Sequence, residues 1–448
     1  MGSASGSRSR IAELATIISQ SVAKLDEMLS VVGMPSPSFD EDAPEPYPAE
    51  TDDVRDAVID AAAELYDLLL EPMHNNMVCL QAITRFGIAN MVPSGGQISF
   101  ADIAAQVPGL SEPIVRRLLR HAITMRVFRE PEAGMVAHTK ASKALQVKPV
   151  LNAWLRNGTH EMWPAAVRMV DALQKWPDSS EPSETGFALA NNTIAPAFTI
   201  LGSDPARAAR FAYAMSIYST KPEYSPAFLT DHYDWEALIT STEGLQQRQQ
   251  HQQQQPVRVI AVGGGGYIHV AIELVRRFAN LDVTVQDMAA ALPPAVRRQG
   301  DNNNENDGEG VVPAELRGRL RLAVVDDLFA PQTARGIDVF LIRSVLHLWP
   351  NKYCLRLLRA QIPALRPGAR VLIQDVCMPE PGTVALWREQ DLRASDVHMA
   401  NLFNGQERTV KEWTALLAEA DPRFVVKQVI EPKGSALGII EAVWNATD

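Results

Sequence analysis

Hydrophobic and polar residues follow different periods in the two halves of the chain. In the N-terminal half, apolar residues recur every three or four positions, as on one face of an α-helix. Residues 10–32 carry such a stripe, and residues 53–91 predict further apolar helices. From residue 257 onward, short apolar runs alternate with amphipathic segments, which is the pattern of a parallel, doubly wound α/β sheet.

Between these regions, residues 99–145 predict a winged helix. The stretch gives a helix, a turn and a second helix, and then AGMVAHTKASKAL supplies a short β-wing. A winged helix can bind DNA, but a net charge of −11 argues against a nucleic-acid partner. We therefore expect a structural or dimer-forming module. Residues 150–240 predict a helical layer rich in Trp, Met and Phe, placed where a substrate lid would stand.

The sheet itself is expected from five strand candidates, namely VRVIAV, LDVTVQD, LRLAVVDDL, IDVFLIRSVL and ARVLIQDV. Two polar tracts at 246–255 and 299–310 cannot bury apolar area and predict disordered inserts. The predicted organisation has four parts: an N-terminal helix and linker (1–52), a dimerisation and winged-helix domain (53–150), a helical lid (151–245) and a Rossmann-like domain (256–448).

Composition narrows the possible classes of protein. The 448 residues are 46% hydrophobic and 21% charged, as in an ordinary globular protein, and the length suits two domains. No apolar run approaches the roughly 20 residues of a membrane span, and the N-terminus lacks a signal-type core. The three cysteines show no metal-ligand spacing. We expect a cytoplasmic protein with no metal.

Five short stretches together carry a family resemblance: VGGGGYIHV (262–270), VQDM (285–288), LIRSVLHLW (341–349), LRPGARVLIQDV (365–376) and LFNGQERTVKEW (402–413). With them the chain resembles the plant and fungal small-molecule O-methyltransferases that use S-adenosylmethionine. The match covers roughly residues 50–448. It implies a dimerisation and winged-helix domain joined to a Rossmann-like domain, and a fungal role in tailoring polyketides or alkaloids.

The resemblance also implies roles for particular residues. His347 matches the family's general base, and Asp375 and Glu407 match the two acids that orient its ring. Asp287 matches the acid that binds the ribose hydroxyls of the cofactor. The remaining cofactor-binding candidates are Gly263, Gly264, Gly265 and Asp326.

Three positions depart from the family pattern. Counting back from Asp287, the acid before the glycines falls at Val262, and the last glycine of the turn falls at Ile268. The family's His-Asp-Trp is His347-Leu348-Trp349 here. Because a β-branched residue crowds a turn that must approach a ligand, S-adenosylmethionine is a possible but doubtful cofactor.

Some relatives on this scaffold are pericyclases, which need a shaped apolar pocket and a donor for a substrate carbonyl. Arg343 is the candidate donor, His160 a candidate acid–base group, and Thr230 a weaker catalytic candidate. The favoured hypothesis is a homodimeric, non-methylating pericyclase that dehydrates or cyclises a small polyketide-alkaloid intermediate. Two alternatives stay open: an O-methyltransferase with His347 as the base, and a non-catalytic scaffold.

Overall fold

The computed structural model describes residues 9–41, 43, 47–69, 77–240, 256–289, 291–292 and 311–446. Both polar tracts that predict disordered inserts, 246–255 and 299–310, lie outside these residues. The chain forms two compact units: residues 1–163 with 379–394, and residues 164–378 with 395–448. The sequence places domain boundaries near 150 and 245 instead, and it does not predict that residues 379–394 join the first unit. Within the described residues, no helix is both long and apolar enough to cross a membrane.

The first unit begins with three helices, α1 (Arg10–Val31), α2 (Asp52–Leu69) and α3 (Met77–Phe86). They follow the predicted helical segments closely. Of the apolar stripe on α1, Leu14 and Leu29 are buried, whereas Ile11 and Val22 remain 47% and 39% exposed. A single copy of the chain therefore covers only part of this stripe.

A winged helix follows, as the sequence predicts. Its elements are β1 (Gln97–Ser99), α4 (Phe100–Gln106), α5 (Glu112–Thr124), β2 (Phe128–Arg129) and β3 (Met135–His138), and the strands pair in the order β1-β3-β2. The wing is shorter than expected, because Thr139 accepts a hydrogen bond from the Ser142 N–H and starts a helix there. Two further helices, α6 (Lys140–Val147) and α7 (Pro149–Asn157), lead into a π-helical turn at Gly158–Met162.

The second unit opens with the predicted helical layer. It contains α8 (Trp163–Ala166), α9 (Met169–Lys175), α10 (Gly186–Ala190), α11 (Ala197–Gly202), α12 (Pro205–Met215), α13 (Ala227–His232) and α14 (Trp235–Thr240). Trp235 and Tyr233 are buried against the sheet cluster that follows. This layer therefore contributes to the core of the sheet domain.

A seven-stranded sheet organises the rest of the unit. Its strands are β4 (Val257–Val262), β5 (Leu281–Asp287), β6 (Leu320–Val324), β7 (Ile337–Arg343), β8 (Leu365–Asp375), β9 (Phe424–Ile430) and β10 (Gly438–Trp444). The order is β6-β5-β4-β7-β8-β10-β9, and β10 runs antiparallel to both of its neighbours. The five predicted strands are all present. These five strands pair in parallel, as predicted, and β9 and β10, which the sequence argument did not include, extend the sheet as an antiparallel addition.

Three helices cover the two faces of this sheet, α15 (Ile268–Arg277) on one face and α16 (Asn351–Gln361) and α18 (Val410–Ala420) on the other. The helix between them in the chain, α17 (Leu386–Phe403), includes residues of both units. Successive side chains of a strand point to opposite faces, and β4 shows this at its carboxyl end. Ala261 packs in the cluster under α15, whereas Val262 packs with Phe340 and Ile342 on the other face. The carboxyl ends of the parallel strands form the edge where ligands bind in such sheets.

Candidate active site

His347 stands just beyond the carboxyl end of β7. The strand ends at Arg343, and Ser344 then takes a left-handed backbone conformation (φ 49°), which is uncommon for a residue with a side chain. The chain turns sharply there and forms a 3₁₀ turn at Leu346–Leu348. This turn leaves the His347 side chain 18% exposed among otherwise buried groups.

Two carboxylates face the ring of His347 on the same side. Glu407 Oε1 lies 3.0 Å from Nδ1, at hydrogen-bond distance, and Asp375 Oδ1 lies 3.8 Å from the same nitrogen. Asp375, the last residue of β8, is completely buried, and Glu407 is 5% exposed. The structure thus brings together the three residues that the family resemblance implies. One side-chain N or O atom from each of the three residues lies within 4.8 Å of those of the other two, so both carboxylate charges act directly on the imidazole.

A close backbone contact holds the loop that carries Glu407. Asn404 adopts a left-handed conformation (φ 55°), and the Gln406 N–H donates to the His347 carbonyl at 3.0 Å. A Cβ on Gly405 would overlap that same carbonyl and the backbone of Leu348. Glycine is therefore required where this loop crosses the His347 turn.

Arg408 fixes the same turn from inside the protein, and the sequence argument did not identify it. The side chain is fully buried. Its guanidinium donates to the carbonyls of Leu346 (3.1 Å) and Trp349 (2.9 Å) and to the Asn351 side chain. The only sequence signal is its position next to Glu407, since a single buried arginine has no pattern of its own.

The surrounding charges change the proton affinities of the triad. Burial alone would lower the pKa of His347, but Asp375 and then Glu407 more than offset this and raise that pKa to about 9. Burial raises the pKa of Asp375 to about 6, with His347 opposing the rise and Glu407 adding to it. At neutral pH the free protein therefore holds a proton on His347.

Arg343 is buried beside the triad at the end of β7. Its Nη1 donates to Gln374 Oε1 at 2.5 Å and its Nη2 to the Tyr224 carbonyl at 2.7 Å. The Nε–H is buried with no hydrogen-bond acceptor among the described residues. Burial lowers the pKa of this guanidinium. Arg343 therefore keeps a donor for a ligand, although two of its donors already serve the fold.

The glycine turn after β4 has the tight geometry expected of a cofactor loop. Gly263 has φ 69°, and a Cβ there would lie 2.7 Å from a methyl group of Val345. Gly264 and Gly265 continue into a 3₁₀ turn at Gly264–Tyr267. A Cβ on Gly264 would press at 3.3 Å on both Ala261 and Val285. The turn thus needs glycine at Gly263, and a side chain at Gly264 would require its neighbours to shift.

The structure changes which residues of this turn matter. A small cavity beside it is lined by Ala261, Tyr267, Arg343 and neighbouring apolar residues, whereas Val262 packs on the opposite face of the sheet. Assigning the missing acid to Val262 was therefore wrong, since an acid reaching the cavity would have to stand at 261. Ile268 is 8% exposed within the core under α15, and it is the Tyr267 side chain that faces the cavity.

The two candidate cofactor acids differ in their surroundings. Asp287 ends β5, is 5% exposed, and accepts a hydrogen bond from the Met288 N–H at 2.7 Å. Asp326 is exposed in the loop after β6. Its neighbour Asp327 is engaged with the Phe329 N–H and with Arg356. Asp287 is thus the acid that the fold places at the ligand edge.

Two further candidates lie elsewhere. Thr230 on α13 is buried and accepts a hydrogen bond from Arg277, at the end of α15 farthest from the glycine turn. The structure does not bring Thr230 together with His347 at the carboxyl edge, and its catalytic role stays a prediction. His160 belongs to the first unit and lies in the π-helical turn. Its Nδ1 contacts the Arg156 carbonyl at 3.0 Å, and burial lowers its pKa.

Comparison with known proteins identifies the family. Residues 210–422 match the model of the O-methyltransferase domain, and residues 73–148 match the O-methyltransferase dimerisation domain. The chain is 42% identical to O-methyltransferase PaMT of Phomopsis amygdali over 98% of its own length and 97% of that protein. The chain belongs to the O-methyltransferase family. The dimerisation-domain match indicates a homodimer.

Solved structures show the same fold. The structure of LepI in complex with SAM covers 97% of this chain and 100% of its own, with a TM-score of 0.70 and 20% identity. A structure described as a pericyclic reaction enzyme covers the same shares, with a TM-score of 0.67 and 20% identity. These confirm the Rossmann-like fold with an N-terminal dimerisation domain. The O-methyltransferase family includes the sequence relative named above, whereas the pericyclase hypothesis stays a prediction.

Proposed function

We propose that this O-methyltransferase-family protein methylates an acidic hydroxyl group of a small molecule, with His347 as the general base. The observation that carries the proposal is the contact of one partly exposed imidazole with two buried carboxylates. A base needs a proton acceptor within reach of the substrate and a proton affinity matched to it. The triad supplies a partly exposed imidazole of high proton affinity, and the neutral fraction of His347, which grows as the pH rises toward 9, is the proton acceptor.

The proton affinity of His347 also indicates the class of hydroxyl. A proton moves almost completely from donor to acceptor only when the acceptor has the higher pKa. With the pKa of His347 raised to about 9, phenols and enols at or below that value give up their proton readily. Aliphatic alcohols are far weaker acids and do not. The substrate class is therefore a phenolic or enolic hydroxyl, in keeping with a fungal tailoring role.

One part of the ligand edge, the glycine turn and the end of β5, has residues that suit the binding of a methyl donor. The left-handed Gly263 and the tight packing of Gly264 on Ala261 and Val285 turn the chain at the ligand edge, and Asp287 at the end of β5 would hold the ribose hydroxyls. S-adenosylmethionine, when bound, supplies the methyl group. The chain's own contribution is to hold the hydroxyl near His347, to remove its proton, and to stabilise the resulting imidazolium between Asp375 and Glu407.

A second function, pericyclic catalysis, is favoured by the residues around the small cavity beside the glycine turn. Tyr267 and Arg343 line a cavity in which Ala261 stands where an acid would have to stand, and Arg343 keeps an Nε–H without an acceptor among the described residues. A buried cationic donor can stabilise negative charge that develops on a substrate carbonyl. In this alternative no nucleophile has to be generated, so His347 matters less.

The two functions predict opposite rankings for two variants. For methyl transfer, His347→Ala should lower turnover by about 10²–10⁴-fold, the usual contribution of a general base, and Arg343→Ala should lower it less. For pericyclic catalysis, Arg343→Ala should cost about 10²–10³-fold and alter the product ratio.

The measurement uses isotopically labelled methyl donor with a panel of phenols and enols, together with product analysis by mass spectrometry. Transfer of label that is lost in His347→Ala supports the proposed function. Conversion of substrate without label, lost in Arg343→Ala and retained in His347→Ala, would establish the alternative instead.

A further inference from the structure

Tyr267 occupies a decisive place at the ligand edge. The ribose acid Asp287 ends β5 and the base His347 follows β7, while β4 lies between these two strands. A ligand that spans from the acid to the base must therefore cross the end of β4. The Tyr267 side chain lines the cavity at this crossing, together with Ala261, Gly264 and Arg343.

The cavity is too small for any part of a nucleoside-sized ligand. Its volume is about 10 Å³, room for about one water molecule, whereas small-molecule sites measure roughly 300–1,000 Å³. The other lining residues are buried in the core of the sheet domain or on the glycine turn, and the Arg343 side chain is held by its hydrogen bonds to Gln374 and to the Tyr224 carbonyl. Tyr267 is only partly buried, on the short turn before α15, so its side chain is the wall that can move.

Specific contacts hold the ring in place. The hydroxyl of Tyr267 shares a hydrogen bond with the Ser344 side chain. The guanidinium of Arg343 lies over the ring, 5.3 Å from its centroid, a distance at which a cation is attracted to an aromatic face. Both partners belong to the segment that leads from β7 into the His347 turn. The closed position is therefore stabilised rather than accidental.

We propose that Tyr267 is a gate over the tail of the cofactor site, and that a tailed adenosyl ligand must displace its ring while a tailless one need not. The tail is the part that extends beyond the ribose toward His347. This inference rests on the proposed function, since it concerns the same methyl-donor site. It also predicts that Tyr267, where the chain departs from the family pattern, weakens the binding of tailed ligands but not of tailless ones.

The test measures binding by calorimetry, without turnover, for two ligands. S-adenosylhomocysteine carries the amino-acid tail, and 5′-methylthioadenosine lacks it. Tyr267→Ala should tighten S-adenosylhomocysteine by about tenfold, the gain expected when a site open one-tenth of the time becomes fully open. The affinity for 5′-methylthioadenosine should stay within twofold. Tyr267→Phe, which keeps the ring and loses the Ser344 bond, should give a smaller gain of about two- to threefold.

Tyr213→Ala is the matched control, because it removes the same atoms from a side chain that is 49% exposed in the same unit. It should change neither affinity. Equal tightening of both ligands in Tyr267→Ala, no tightening, or weaker binding would each overturn the gate. If S-adenosylhomocysteine binds the unmodified protein and the variants equally, the gate alone fails. If neither ligand binds any variant, the methyl-donor site and the proposed function fail together with it.

Discussion

The base triad and the cofactor turn lie on the same edge of the sheet, but they are stabilised in opposite ways. His347 is held by redundant polar contacts: two carboxylates, a backbone hydrogen bond from the 404–408 loop, and a buried arginine that binds the adjoining carbonyls. The cofactor turn is held by apolar packing and by one ring over a small cavity. The first arrangement is preorganised for one chemical step, and the second has to rearrange before it can bind a ligand.

This difference explains why both functional hypotheses arise from one chain. An intact triad argues for proton removal from a hydroxyl, and an altered glycine turn argues for reduced use of the methyl donor. A preorganised base is useful only if the reaction needs one, and methyl transfer to a hydroxyl, the function proposed above, is such a reaction. The altered turn then tunes how the cofactor enters, which is the role proposed for Tyr267.

Among changes outside the catalytic groups themselves, the largest expected effect comes from disturbing the preorganised side at Gly405. Gly405→Ala places a Cβ against the His347 carbonyl, so the loop and the base must separate. Because misplacement by about 1 Å can cost on the order of 10² in rate, we expect kcat/KM to fall by about that factor. Thermal unfolding measured in parallel should show that the variant is still folded.

Gly318→Ala is the control for Gly405→Ala, since a Cβ there meets nothing within 4 Å. It should leave kcat/KM unchanged. If Gly405→Ala is equally harmless, the crossing of the loop over the His347 turn is not what aligns Glu407.

Much of the sheet and the whole base triad could be predicted from the sequence. The five parallel strands and the helices between them follow from hydrophobic periodicity, and the triad follows from three motif matches at His347, Asp375 and Glu407. Strands β9 and β10 alternate less clearly: β9 includes exposed and half-buried positions, while β10 is nearly all buried. Neither pattern distinguishes an added antiparallel pair from the continuation of a parallel sheet.

The rest of the site could not be predicted because it depends on side-chain direction. Only the alternation of β4 shows that residue 261, and not 262, faces the cavity. The counting argument that selected Val262 and Ile268 was displaced by one residue at each position. On the strand β4, a shift of one residue moves a side chain to the opposite face of the sheet. On the turn that follows, the same shift selected Ile268 instead of Tyr267.

A second, intermediate effect concerns pH. Because the pKa of His347 is raised from 6.5 to about 9, the neutral base gains about tenfold per pH unit up to pH 9. With a phenol whose own pKa matches that of His347, and which therefore stays mostly protonated below pH 9, kcat/KM should rise accordingly and then level off. Glu407→Gln removes one of the two charges that raise this pKa, so the rise should move to lower pH.

The raised pKa of His347 also makes the stability of the folded protein depend on pH. A raised pKa means that the folded state binds the proton more tightly, so the contribution to stability is complete below pH 6.5 and is lost as pH rises through 9. The free energy of unfolding should therefore decrease between these values, and His347→Ala should flatten the decrease.

For the pH dependence of the rate, a kcat/KM that is independent of pH from 7 to 9 would contradict the assignment of His347 as the base.

The smallest expected effect tests what holds the loop beyond the triad. Thr409 caps α18 directly after Arg408: its hydroxyl accepts the Glu412 N–H at 3.2 Å, and the Glu412 carboxylate accepts the Thr409 N–H at 2.8 Å. Replacing such a cap by alanine costs about 1 kcal/mol. We expect Thr409→Ala to lower the free energy of unfolding by about that amount and to leave kcat/KM within twofold, because Arg408 and Gly405 hold the triad independently. Thr414→Ala, in the exposed middle of the same helix, should be near neutral in both measurements. If Thr409→Ala instead lowers kcat/KM tenfold at unchanged folding, the cap itself positions Glu407. Arg408 and Gly405 would then be insufficient to hold the triad without it.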